Sequence, residues 1–139
     1  MTISAKEFAE KVIGKPWENR ATGPNAYDCW GLVIDYFIKV RGFVLPEIPG
    51  YLDVACDINT AAMQTIFKYD KSTGVDGDIV CMYDVNGDFA HVGIMAFGCV
   101  LHSAGSKYNP GKVKLDRLEV MKRAFKTVEF RKYASSSVI

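Results

Sequence analysis

The chain has 139 residues, about half of them apolar, and a formal net charge of +1. That length fits one domain with its own core and needs neither metal nor disulfide to fold. Near-balanced charge argues against nucleic acid as the main partner, because phosphate binding wants a clear basic excess.

The first residues, Met1-Thr2-Ile3-Ser4-Ala5-Lys6-Glu7, carry neither the basic start nor the apolar run of a signal peptide. No stretch approaches the ~20 apolar residues of a membrane span. The expectation is synthesis in the cytoplasm, no membrane partner, and delivery by another route if the target lies outside. The four cysteines, at 29, 56, 81 and 99, form no Cys-x-x-Cys pair. Zinc and thioredoxin-type chemistry are therefore disfavoured, and no metal or other cofactor is expected. Cys81 and Cys99 lie in apolar runs and read as packing residues. Cys56 sits in a polar stretch with no evident partner.

In chain order, Ser4-x-x-Glu7 is a capping box. It opens a short helix whose Phe8, Val12 and Ile13 share a face, and Gly14 ends it. Residues 15–27 read as loop. A second helix is predicted over about residues 28–41, where Leu32, Val33, Tyr36, Phe37 and Val40 recur at three- and four-residue steps. Residues 43–57 read as an irregular connection, and residues 59–69 as a third helix. Strands follow at 79–83, 89–97 and 100–103, with Asn86-Gly87 as a hairpin signal. Asp116-x-x-Glu119 reads as a second capping box, opening a helix to about residue 123. Residues 127–131 alternate as a closing strand. Helices followed by an antiparallel meander make an α+β pattern. Residues 1–134 form one domain on this reading, with 135–139 as a frayed tail.

Chemistry concentrates at Cys29, in the first turn of the second helix. Unpaired N–H groups and the helix dipole there favour a thiolate and an oxyanion, and Asp28 is placed to cap the turn. The chain has two histidines, His91 and His102, which flank the turn around residues 97–99. An even-numbered hairpin loop puts both on one face of the sheet, and an odd-numbered one splits them. On one face, His91 can take the thiol proton and His102 can orient its ring.

Tyr27-Asp28-Cys29-Trp30-Gly31-Leu32-Val33 resembles the nucleophile motif of the NlpC-type cell-wall peptidases. Gly77-Asp78-Ile79-Val80 with Ala90-His91-Val92-Gly93-Ile94 resembles that family's base-bearing strands. Val100-Leu101-His102-Ser103 resembles the strand of its third catalytic residue. Gly14-Lys15-Pro16-Trp17 resembles the Gly-x-Pro-aromatic stretch ahead of the nucleophile.

The resemblance spans about residues 5–132. It implies a papain-like α+β fold with N-terminal helices packed on an antiparallel sheet, and a Cys29–His91–His102 triad without cofactor. It also implies a thiol protease acting on peptidoglycan stem peptides, often at the D-glutamyl–diamino acid bond. Trp17, Tyr27, Asp28 and Trp30 then fall at the oxyanion site or the site walls. Where the family often has a tyrosine whose hydroxyl serves the oxyanion, this chain has Trp17. Its indole N–H is either a replacement donor or part of an aromatic lid.

The Asp28-to-Val33 stretch, with Gly42 and Leu45-Pro46, is most similar to versions from bacteriophage tail proteins. That implies a virion setting with tail proteins as further partners. Two alternatives stand beside it: a structural tail-tip component with a vestigial site, and a thiol amidase on another substrate.

Overall fold

The computed structural model describes residues 1–46, 66, 68–106 and 108–133. Helix α1 (Ala5–Val12) starts where the Ser4 side chain accepts the Glu7 N–H at 3.1 Å. Phe8 and Val12 are buried, as their spacing requires. Ile13, expected on the same face, is 46% exposed because the helix has already ended there. Helix α2 (Cys29–Tyr36) runs on into a π-helical turn, Phe37–Arg41, which Gly42 terminates in the left-handed conformation. Trp30, Leu32, Val33, Tyr36 and Phe37 of this continuous segment are buried.

Six strands follow: β1 (Asp70–Lys71), β2 (Ile79–Tyr83), β3 (Phe89–Ala96), β4 (Cys99–Gly105), β5 (Pro110–Arg117) and β6 (Thr127–Lys132). Helix α3 (Leu118–Ala124) lies between the last two. The strands form one antiparallel sheet in the order β1-β6-β2-β3-β4-β5. One face carries Ile79, Cys81, Val92, Ile94 and Leu101 against Trp30, Leu32 and Val33 of α2. The other carries Val80, Met82, Met95 and Val100 against Met121 of α3. The fold is thus the α+β arrangement that the element order predicts.

Strand β5 was not anticipated. Of its eight residues only Val113 is fully buried, so its sequence carries little apolar alternation. Its edge is held by the segment after α1: Gly14 N–H donates to Val113 O (2.8 Å), Val113 N–H to Lys15 O (2.9 Å), and Trp17 N–H to Gly111 O (2.9 Å).

The expected capping box at Asp116 is not formed. Arg117 occupies the N-cap of α3 without a side-chain bond, and Asp116 still belongs to β5. The expected helix over 59–69 lies outside the described residues except Ile66, which is helical and buried, and residues 68–69, which are not helical. Cys56 and the tail at 135–139 also lie outside them.

Candidate active site

Cys29 is the first residue of α2, and a loop folded back over the helix start fixes it there. Asp28 caps the helix by accepting Gly31 N–H at Oδ1 (2.6 Å), while its Oδ2 accepts Arg20 N–H (2.8 Å). Gly31 is required because the Ala21 carbonyl lies where a Cβ would stand. The Tyr27 carbonyl accepts from Glu18 N–H (3.3 Å) and from the Ser103 hydroxyl on β4 (2.7 Å), tying the loop to the sheet.

The backbone N–H groups of Val92, Trp30 and Cys29 itself lie close enough to the Cys29 sulfur to favour its thiolate form. The Val92 contact places it beside the amide that joins His91 to Val92. Val92 lies before the stretch over which β3 pairs with β4. That pairing runs only from Ile94↔Leu101 to Ala96↔Cys99.

The two histidines share a face of the sheet. The β3–β4 turn is the two-residue Phe97-Gly98, both with positive φ (57° and 71°), its amides held by the Asp76 carboxylate at 3.0 and 2.9 Å. This even-numbered loop meets the parity condition. It sets His102 across from Gly93, where an added Cβ would meet Leu101 O at 2.8 Å and His102 Cβ at 3.0 Å. On the β2 side, Met82 opposes His91 and Tyr83 opposes Phe89, so Ala90 is a bulge beside the histidine.

The rings meet edge to face, with His91 Nε2 and His102 Nδ1 2.8 Å apart. Phe125, after α3, stacks on His91 at 15°. His102 Nε2 lies 2.8 Å from the Asp116 carboxylate. Asp116 is the site residue the sequence reading missed. It sits two residues along β5 from Lys114, the partner of His102, on a strand whose sequence carries too little apolar alternation to have placed it.

The resting charges differ from the expected thiolate. Burial, and then the Asp28 carboxylate, push the Cys29 thiol from 9.0 up to about 12, against the three N–H groups. The helix-start field is outweighed chiefly by burial, and the anionic residue that caps the helix adds to it. Burial, and then His102, push His91 from 6.5 down to about 3. His102 is also lowered, by burial, with Asp116 acting in the opposite sense. The Cys29 and His91 shifts both favour the uncharged forms of sulfur and imidazole.

Of the other expected site residues, Tyr27 (2% exposed) and Trp30 (1%) are core side chains rather than open walls. The Tyr27 hydroxyl donates to buried Asp35 at 2.6 Å. Asp28 is committed to the helix cap. Trp17 lies beside Tyr27 in a short bridge, and its indole N–H is buried without an acceptor. Cys81 is buried, and its thiol is raised to about 12, first by burial. Among the described residues no group of three or more His, Cys, Asp or Glu side chains is placed to hold a metal ion.

The chain thus has a cysteine at the start of a buried helix and a bonded pair of imidazoles on the antiparallel sheet of an α+β fold. The family model for NlpC/P60 proteins matches residues 14–129, and the chain belongs to that family. Its fold is similar to the NlpC/P60 domain of the peptidoglycan hydrolase SagA (TM-score 0.56, 19% identity, 91% of this chain and 95% of that one). It is also similar to an NLP/P60-family protein, described as similar to a lipoprotein, from Staphylococcus aureus subsp. aureus Mu50 (TM-score 0.52, 16% identity). That match covers 93% of this chain and 42% of the longer Staphylococcus chain. No curated protein matches the sequence.

Proposed function

We propose that this chain is a cysteine peptidase that cleaves peptidoglycan stem peptides, with Cys29 as nucleophile, His91 as base and His102 as orienter. The observation that carries the reading is the 2.8 Å contact between His91 and His102, with the amide of the next residue, Val92, near the helix-start thiol. Family membership and the hydrolase title of the SagA structure support peptidoglycan as substrate class.

His91 Nε2 is committed to His102, which leaves Nδ1 to accept the thiol proton. With the uncharged forms of both groups favoured by burial, the proton moves as the sulfur attacks the carbonyl, in general-base fashion. The Cys29 N–H faces the oxyanion that forms, and the unpaired Trp17 indole N–H is the second donor in this reading. The His91 imidazolium then protonates the leaving amine. Water hydrolyses the thioester with His91 as base.

The D-glutamyl–diamino acid bond and a bacteriophage-tail setting complete the proposal. The bond rests on the family resemblance as a whole, and the setting on that of the Asp28–Val33 motif with Gly42 and Leu45-Pro46. Purified peptidoglycan and a panel of muropeptides, read by mass spectrometry, test it. Wild type is expected to release stem-peptide fragments, whereas Cys29→Ala and His91→Ala release none while keeping the wild-type circular dichroism. Undiminished cleavage by folded Cys29→Ala would sink the assignment. Co-assembly with tail proteins, without any cleavage, would favour a structural tail component.

A further inference from the structure

The Asp116 carboxylate is bonded to the imidazole pair, through His102 Nε2 at 2.8 Å. Its side chain is 25% exposed, so water reaches the carboxylate while His102 is buried beneath it. An ionised carboxylate only accepts hydrogen bonds. The neutral His102 ring must therefore carry its proton on Nε2 to make this contact. Its Nδ1 is then an acceptor and takes the proton-bearing Nε2 of His91 across the 2.8 Å gap. The His91 tautomer follows, with Nδ1 bare.

We infer that Asp116 is a positioning residue that, through His102, sets His91 in the Nδ1-basic tautomer, extending the site to Cys29–His91–His102–Asp116. The inference rests on the reading that Cys29 and His91 perform the reaction.

Proton bookkeeping follows directly. As the Cys29 sulfur bonds to the substrate carbonyl carbon, its proton passes to His91 Nδ1. The imidazolium keeps donating from Nε2 to His102, which keeps donating to Asp116. Asp116 neither gains nor loses a proton. The groups facing this chain are Lys114, opposite His102 on β5, Asp28 at the cysteine, and the uncharged Phe125 and Met82. Among these, only Asp116 accepts a hydrogen bond from His102.

The test combines a spectroscopic and a kinetic arm on the intact protein. With 15N-labelled histidine, wild type is expected to show both rings protonated at Nε2. Asp116→Asn, nearly isosteric, is expected to bring Nδ1–H signal onto one or both rings. Hydrogen-bond partners that orient metal-bound histidines are typically worth about 10–100-fold in activity, and the same scale is expected for this histidine. Asp116→Asn and Asp116→Ala are therefore expected to lower kcat by about that factor with KM unchanged, and to slow alkylation of Cys29 by iodoacetamide. In a His102→Ala background, adding Asp116→Ala is expected to cost no further activity or alkylation rate.

A wild-type His102 protonated at Nδ1, or a full Asp116 effect surviving without His102, overturns the inference. Unchanged tautomers in folded Asp116→Asn do the same. Tautomers and alkylation need no substrate. If both behave as expected but no muropeptide is cleaved, the substrate reading fails and the role of Asp116 stands.

Discussion

Replacing Asp28 with asparagine separates two jobs that one carboxylate now performs. Both of its oxygens are engaged, Oδ1 with Gly31 N–H at 2.6 Å and Oδ2 with Arg20 N–H at 2.8 Å. Asparagine keeps one acceptor and turns an NH2 group toward the other donor. The loss is one charge-assisted bond at a buried site, about 1.5–3 kcal/mol. For a chain of this size that lowers the melting temperature by roughly 5–10 °C. The sulfur responds in the opposite sense. The Asp28 charge is the second cause, after burial, of the raised Cys29 thiol. Removing it is expected to bring the thiol down, though not to its ordinary value, because burial remains. The assay is the rate of Cys29 alkylation by iodoacetamide across a pH series, followed by peptide mass mapping, beside a thermal melt. Asp28→Asn should alkylate faster than wild type and with a lower midpoint while melting earlier. A midpoint that stays put or rises in the folded variant would refute the argument that this anion opposes the helix-start field.

Other perturbations probe other contacts. Gly93→Ala drives a methyl against Leu101 O and His102 Cβ. It is expected to cost about 1–3 kcal/mol in urea denaturation and to lower peptidase activity with it; wild-type stability would mean the strands part there without strain. Tyr27→Phe removes the hydroxyl from Asp35, which keeps Lys39 at 2.9 Å. It should cost about 1–3 kcal/mol, and cleavage at low temperature should track the folded fraction; a KM change alone would instead make Tyr27 a substrate contact. Stability itself should depend on pH at both ends. His91 is lowered from 6.5 to about 3, so the unfolded chain takes up the proton first, and stability that is full above about 6.5 is lost as pH falls toward 3. Cys29 and Cys81 are raised from 9.0 to about 12, so stability that is full below about 9 is lost as pH rises toward 12. Denaturant midpoints over that range check both limbs, and a flat acid limb would contradict a buried neutral His91.

Local signals were legible where local physics decides the outcome. The periodic run behind Cys29 and the Ser4 cap gave the helices, and the odd sum of 91 and 102 gave the shared face once the loop proved even. The loop itself was harder to read. Phe97 takes a left-handed conformation that large side chains rarely adopt, and it does so where Asp76, distant in sequence, binds both turn amides. Asp116 was misread for a related reason. Its spacing to Glu119 matches a helix cap, but a buried imidazole with an N–H to satisfy is the stronger partner. The charge state of Cys29 was likewise beyond a local reading. Helix position is visible in the sequence, whereas desolvation is a property of everything packed around the sulfur.

The strap after α1 has a consequence for how the molecule behaves in a crowd. Residues 14–17 occupy the outer hydrogen-bonding side of β5, and the opposite end of the sheet is β1, two residues long. An unsatisfied row of amides and carbonyls is the template on which sheets add strands from other molecules. Here the chain's own loop pairs residues 111–113 of one border, and β1 pairs Arg131 and Lys132 at the other. Over those stretches many copies held close together would find no free row on which to add a strand.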